Sequence, residues 1–231
     1  MKPMWLAVAA VALVGIATSS RAARALAPGH PIRPQGRLWF TGASNIRHFT
    51  CKARRVGGTL DLRGIATQRP MLTGANVSAD PSLDVAVDEL DCGLGLMNRH
   101  LREALQGAQH PAIEFRLGTY EVDLVAPSPV ARIAGRVTIA GVERPVAVTA
   151  AVRADTLGTL HVLGRYTVRP TEFGVELPRR FRGLIKVRDR ITVHFDVALD
   201  PADAAVDQIV ALLPHTTHTD LQSESTHVTH R

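Results

Sequence analysis

Aromatic residues are scarce in this chain of 231 residues, which contains six Phe, two Trp and two Tyr, or 4% of the total. Hydrophobic residues nevertheless make up 45%, a fraction that excludes an intrinsically disordered or low-complexity chain. The interior must therefore be filled mainly by Val, Leu, Ile and Ala, with few large rings to plug a wide space. The length fits one domain with extensions better than two full domains.

A long hydrophobic run is missing as well. The uncharged apolar stretch at 5–16 has 12 residues, well short of the roughly 20 that span a bilayer. Lys2 precedes this stretch and Ala23 and Ala25 follow it, a pattern typical of a secretory signal peptide. We therefore assign 1–25 to a signal peptide and expect a periplasmic or secreted protein, without a permanent transmembrane segment in its mature form.

Strong basic clusters are missing beyond the signal. Cleavage after residue 25 removes three positive charges and no negative ones, so the formal charge falls from +6 to about +3. The densest remaining basic group is Arg179, Arg180 and Arg182, which has no interleaved aromatic residues and is typical of a solvated loop. The sequence therefore predicts no nucleic-acid partner.

Motifs of common enzymes are missing too. The chain has neither a glycine-rich phosphate loop nor a dinucleotide-binding fingerprint. Ser44 lies near His48, but not in the strand-turn-helix setting of a hydrolase nucleophile. The sequence therefore predicts a protein that is not an enzyme and that has no resident metal or cofactor.

Alternation of apolar and polar residues, in contrast, recurs along most of 35–200, and it is typical of strands buried on one face. The clearest runs lie at 113–117, 146–153, 160–169 and 191–199, with others at 38–41, 47–54, 59–63, 83–88 and 133–139. Strands of parallel sheets are apolar on both faces. The pattern therefore predicts an all-β fold with about eight or nine antiparallel strands.

Two segments have helical spacing instead. In the first segment, 94–105, the apolar residues fall on one stripe of an amphipathic helix. We expect this helix to lie across the sheet or over a barrel end. The second, 201–213, begins where Asp200 can cap a helix with Pro201 at its first position, and it ends before Pro214.

The remaining segments set the domain boundaries. The Pro-rich stretch at 26–34 is expected to be a linker between the signal and a domain at 35–200. The stretch at 214–231 is rich in His, Thr and Ser and almost free of apolar residues, so we expect a disordered tail.

The order of several short motifs resembles the YceI family of secreted or periplasmic, lipocalin-like proteins. The motifs, quoted from this chain, are SNIRHF at 44–49, MNRHL at 97–101, HPAIEF at 110–115, GRVTIAGV at 135–142 with PV at 145–146, RPTEFG at 169–174 and VRDRI at 187–191. The resemblance covers about 35–200. It implies an antiparallel, lipocalin-like β-barrel of about eight strands around a long apolar cavity, with one helix over an end, whereas the short C-terminal helix is predicted from the residue pattern alone.

The same resemblance implies a ligand of the polyisoprenoid type, such as a prenyl chain with a polar head or an isoprenoid quinone. Aliphatic inward positions agree with a slender hydrocarbon guest, because an eight-stranded barrel holds either side chains or one small ligand. The residues expected to contact the guest are Trp39, Phe49, Met97, Leu101, Ile113, Phe115, Ile139, Val148, Tyr166, Phe173, Val193 and Phe195.

Candidates for contacts with a polar head group are His48, Asn98, His100 and Arg169. Many family members have an acidic residue where this chain has Asn98, so head-group contacts cannot simply be transferred. For His48 and His100, a hydrogen bond to the protein backbone is the competing interpretation.

The two cysteines of an exported chain favour one disulfide, Cys51 to Cys92. This bond would close a loop of about 40 residues and contribute roughly 3 to 4 kcal/mol. The alternative is a zinc site made from both cysteines with His48 and His100. Spacing disfavours it, since His48 and Cys51 point to opposite faces of a regular strand.

The leading hypothesis is a non-enzymatic protein that binds or transports a long apolar amphiphile, a polyisoprenoid, isoprenoid quinone or other lipid, outside the cytoplasm. Two alternatives remain open at this stage. One is a metal-dependent enzyme that uses His48 and His100, and the other is a structural or stress-related protein with a filled barrel. The sequence leaves the oligomeric state open, a homodimer included.

Overall fold

A computed structural model describes residues 31–68, 71–124, 128–177, 179–180, 185–200 and 204–213. The predicted signal peptide, the predicted tail and most of the predicted linker lie outside these residues. The strands are β1 (Gln35–Ser44), β2 (His48–Ala53), β3 (Leu62–Gln68), β4 (Met71–Asn76), β5 (Leu83–Ala86), β6 (Leu90–Asp91), β7 (Ala112–Asp123), β8 (Val130–Ile139), β9 (Val142–Ala154), β10 (Leu160–Val168), β11 (Arg179–Arg180) and β12 (Ile185–Leu199). The helices are α1 (Gly95–Ala104) and α2 (Ala204–Val210), with 3-10 turns at Val87–Glu89 and Pro170–Phe173.

The strands form one sheet in which every strand pair is antiparallel, which confirms the predicted fold class. Its main path is β3-β4-β7-β8-β9-β10-β12-β1-β2-β6. The described residues form twelve strands, more than the predicted eight or nine, because β6 and β11 have only two residues each, too few to show alternation. The sequence pattern also missed β4, whose alternation is weak.

Short segments bring the two outer ends of this sheet together. Strand β7 pairs through its second half with β4 and through its first half with β5. The chain then continues from β5 to β6, which pairs with β2, so this segment connects β7 to β2. Two isolated bridges, Ile32 with Leu60 and Gly57 with Asp84, complete the contact. The sheet therefore curls around an interior. Ile32, which the sequence pattern assigned to the linker, is 5% exposed and belongs to the core.

A helix covers each end of the curled sheet. At the end where β1 begins and β12 finishes, here called the α2 end, Val206 and Ile209 pack into one apolar cluster with Leu160. At the opposite end, the α1 end, Leu101 and Leu105 pack into a second cluster. The predicted first helix is confirmed. The predicted cap at Asp200 with Pro201 involves 201–203, which lie outside the described residues.

The inward-facing residues of β7 have odd numbers in the first half of the strand and even numbers in the second half. A bulge between Leu117 and Thr119 shifts its register against β8. Phe115 and Leu117 face inward before the bulge, whereas Tyr120 and Val122 line the interior after it. A bulge inserts one unpaired residue, and the alternation therefore restarts one position later.

Candidate functional site

A cavity of about 260 Å³ lies inside the curled sheet, between the two apolar clusters. Its wall is almost entirely apolar and is contributed mainly by Val, Leu, Ile and Phe side chains. The Ser82 hydroxyl, at one edge, already accepts hydrogen bonds from the Leu117 backbone at 2.9 Å and from the Asn76 amide at 3.1 Å. The wall therefore suits a hydrocarbon guest and offers little to a charged one.

Seven of the twelve residues predicted to contact a guest line this cavity. They are Ile113, Phe115, Ile139, Val148, Tyr166, Val193 and Phe195. Each occupies an inward position of an alternating strand, so the periodicity that predicted the strands also selected the wall.

Trp39 is not in the wall. It pairs with His194 in the register of β1 and β12, and the two rings stack on the outer face with centroids 5.2 Å apart. Its neighbours Leu38 and Phe40 line the cavity instead. The side chains of a strand alternate between its two faces, so Trp39 points outward where its two neighbours point inward.

Four further predicted contacts also lie outside the wall. Phe49 covers Gly42 near Ile191. Leu101 and Phe173 pack in the cluster at the α1 end. Met97 is half-buried on α1. These residues belong to the hairpin, the helix and the 3-10 turn beyond the cavity. Apolar character alone does not distinguish them from residues of the wall.

Aromatic rings at the inner face lie across glycines of neighbouring strands. A Cβ on Gly164 would come 2.4 Å from Phe195 Cζ, and Gly164 and Phe195 are register partners. The register partners Phe49 and Gly42, and Tyr120 and Gly74, are related in the same way. Each glycine leaves room for an aromatic ring to lie flat against the neighbouring strand.

Tyr120 is a wall residue that the sequence pattern missed because it follows the bulge. Its side chain is 7% exposed, and its hydroxyl is buried without a hydrogen-bond partner among the described residues. Burial raises the pKa of this hydroxyl to about 12, so it remains protonated at neutral pH.

The four head-group candidates all lie away from the cavity wall. Asn98 accepts a hydrogen bond from the Cys92 backbone N–H at 2.7 Å and donates one to Asp91 at 2.9 Å. Its contacts therefore fix the loop before α1. Exposed Arg169 lies 3.5 Å from Asp189 across the 3-10 turn. His48 is exposed and His100 is half-buried on α1.

A disulfide joins Cys51 to Cys92, as predicted. Cys51 is fully buried on β2, and Cys92 follows β6, so the bond ties the entry of α1 to the sheet. The disulfide leaves neither cysteine with a free thiolate, and the alternative zinc site needs both thiolates as ligands. Within the described ranges, no group of three or more His, Cys, Asp and Glu side chains is arranged to hold a metal ion.

Asp196 lies on the outer face of β12 and is only 8% exposed. Arg37 donates a hydrogen bond to it at 2.7 Å, and His161 Nδ1 lies 3.2 Å away. Burial opposes ionisation, but these two partners outweigh it and hold the pKa of Asp196 below its usual value.

The densest basic group of the sequence is described only in part. Strand β11 pairs with β12 through the backbones of Arg179 and Arg180. Arg182 lies outside the described residues.

None of the helices in the described part of the chain combines the length and the apolar character needed to cross a membrane.

Comparison with known proteins matches residues 37–199 to the family model of the YceI-like domain. The fold is similar to BcnA from Burkholderia cenocepacia, with a TM-score of 0.51 and 12% identity over 71% of this chain and 95% of that one. It is also similar to a polyisoprenoid binding domain from Saccharophagus degradans, implicated in plant cell wall breakdown, with a TM-score of 0.50 and 10% identity over 74% and 97%. At these identities the likeness shows the fold alone. No match was found among curated proteins.

Proposed function

This chain belongs to the YceI-like domain family, and from that premise we propose that it binds a long apolar amphiphile in its internal cavity, outside the cytoplasm, without transforming it. The guest is a polyisoprenoid chain or a related lipid such as an isoprenoid quinone. The observation that carries the proposal is the apolar cavity of about 260 Å³ inside the curled sheet. A structural neighbour described as a polyisoprenoid binding domain supports the choice of guest.

The energetics favour such a guest. Burying apolar surface contributes about 25 cal/mol per Å², so a prenyl chain that loses ~300 Å² of exposed surface gains roughly 7 kcal/mol before the costs of association. Branched aliphatic wall residues match the methyl branches of a prenyl chain in size. A highly charged guest would lose its hydration without finding a partner in this wall.

Support for an extracytoplasmic location comes from the sequence and from the disulfide. The apolar stretch at 5–16 is typical of a signal peptide. The bond between Cys51 and Cys92 is typical of an oxidising compartment. Fractionation of cells that produce the full chain tests this part, and a protein retained in the cytoplasm with its N-terminus intact would contradict it.

The ligand itself is tested by purifying the mature protein and analysing an organic extract by mass spectrometry, followed by titration of the delipidated protein with farnesol. Val148→Phe adds a ring to the wall, whereas Thr149→Phe adds the same ring on the opposite face of β9. We expect the first change to weaken farnesol binding about tenfold and the second to leave it unchanged. A wild-type protein that yields no lipid and binds no prenyl alcohol would overturn the proposal.

The same pair of variants addresses the alternative of a filled barrel. In a filled core, Val148→Phe overpacks the interior and costs about 1 to 3 kcal/mol of stability. In a cavity, the added ring occupies free space and leaves the free energy of unfolding unchanged or raised. Denaturant unfolding of the ligand-free variants distinguishes the two outcomes.

A further inference from the structure

Helix α2 lies beyond the family domain, which ends at residue 199. Three residues in and just after this helix are buried, with exposed fractions of 0% for Val206, 3% for Ile209 and 6% for Leu213. Spacings of three and four residues place them on one face of the helix. Asp207, between them in sequence, is exposed.

The buried face of α2 packs into the cluster at the α2 end of the sheet. Leu60, Leu160 and Leu199 belong to the same cluster. All three also line the cavity, and so does Ile209, alone among the α2 side chains that the structure describes. The interior is therefore bounded at this end by a side chain from outside the family domain.

We propose that α2 acts as a stopper, with Ile209 as the residue that sets the longest apolar chain the cavity accepts. The inference rests on the proposed function, because it concerns the length of the same guest. A chain that extends toward the α2 end meets the Ile209 side chain before it can leave the interior. A smaller residue there lengthens the available space and a larger one shortens it.

The leucine side chains that pack with Ile209 agree with a guest that ends in hydrocarbon at this position. Leu60, Leu160 and Leu199 offer no hydrogen-bond donor or acceptor from their side chains. Among the described members of this cluster, only Tyr120 carries a polar side-chain atom, its buried hydroxyl. Selection at the α2 end therefore depends on the length and thickness of an apolar chain.

The test uses the full mature chain and three prenyl alcohols of increasing length: geraniol, farnesol and geranylgeraniol. Ile209→Ala and Ile209→Phe change the stopper in opposite directions, and Asp207→Ala alters the exposed face of the same helix as a control. We expect Ile209→Ala to raise the affinity for geranylgeraniol relative to farnesol about tenfold, and Ile209→Phe to lower it. Asp207→Ala should keep the wild-type profile.

Circular dichroism monitors folding, and Ile209→Val provides a milder variant that keeps most of the buried surface and should shift the profile in the direction of Ile209→Ala. If the wild-type protein binds prenyl alcohols and none of the folded Ile209 variants moves the chain-length profile, the stopper is refuted while the proposed function stands. If the wild-type protein binds none of them, the proposed function fails, and the stopper fails with it.

Discussion

The ring of Phe195 on β12 lies across Gly164, its register partner on β10. A Cβ at Gly164 would come 2.4 Å from Phe195 Cζ, closer than two carbon atoms can approach. The glycine therefore gives the ring its place along the wall. Phe195 lines the cavity, so the position of its ring affects how much space is left inside.

Gly164→Ala should displace the Phe195 ring from its place along the wall. We expect a stability loss of about 1 to 3 kcal/mol, because the core becomes overpacked, together with weaker binding of farnesol. Thermal unfolding and titration measure the two effects. Gly95→Ala is the matched control, since a Cβ on Gly95 meets nothing within 4 Å. Equal effects of the two substitutions would contradict this role of Gly164.

Tyr120→Phe should leave stability unchanged or raise it by about 1 kcal/mol. Its hydroxyl is buried without a partner, so removing it relieves an unpaired polar group while the ring continues to pack. Denaturant unfolding of the ligand-free protein measures the effect. A loss of more than about 1 kcal/mol would show that the hydroxyl has a hydrogen-bond partner in solution.

Cys51→Ala combined with Cys92→Ala should cost roughly 3 to 4 kcal/mol of stability, because the bond closes a loop across a sequence separation of 41. Alanine avoids placing a hydroxyl at the fully buried position 51. Reduction of the wild-type protein should lower its stability by a similar amount and leave the double variant unaffected. Sensitivity of the double variant to the reductant would contradict the assignment of the effect to this bond.

Stability should fall in acid because the pKa of Asp196 is held down in the folded state by Arg37 and His161, against the opposing effect of burial. A depressed pKa contributes stability above the unfolded value of about 4, and this contribution is lost as the pH falls through the folded value. Asp196→Asn should therefore flatten the loss of stability below about pH 4.

Unfolding curves recorded between neutral pH and strong acid test this expectation. Asp207→Asn removes one carboxylate from an exposed position and serves as the control for the change in net charge. If the acid dependence of Asp196→Asn matches that of the wild-type protein, the stabilising role of the ionised Asp196 carboxylate is refuted.

The sequence predicted much of the cavity wall because alternation needs only local information. Val193 and Phe195 line the cavity as their period-two pattern indicates. Trp39 shows the limit of this information. A short run around a strand start contains apolar residues on both faces, and only the pairing of Trp39 with His194 reveals which face is outside.

Other parts of the site depend on contacts between distant segments. Tyr120 follows a bulge that is defined by pairing with β8, so alternation counted from Phe115 assigns it to the outer face. Ile209 was correctly predicted to lie on the apolar stripe of a helix, but helical spacing does not reveal which residues Ile209 packs against. Asn98 was a head-group candidate from its motif, whereas its hydrogen bonds join it to Asp91 and Cys92.

The connection between β2 and β6 consists of two residue pairs, Lys52 with Asp91 and Ala53 with Leu90. Such a short pairing would fray early during local unfolding, since few hydrogen bonds must break. The Cys51–Cys92 bond lies directly beside it. Fraying there can open the hydrogen bonds but cannot separate the two segments, so each opening closes again within the same molecule. The disulfide therefore keeps β2 and β6 joined whenever the hydrogen bonds between them open locally.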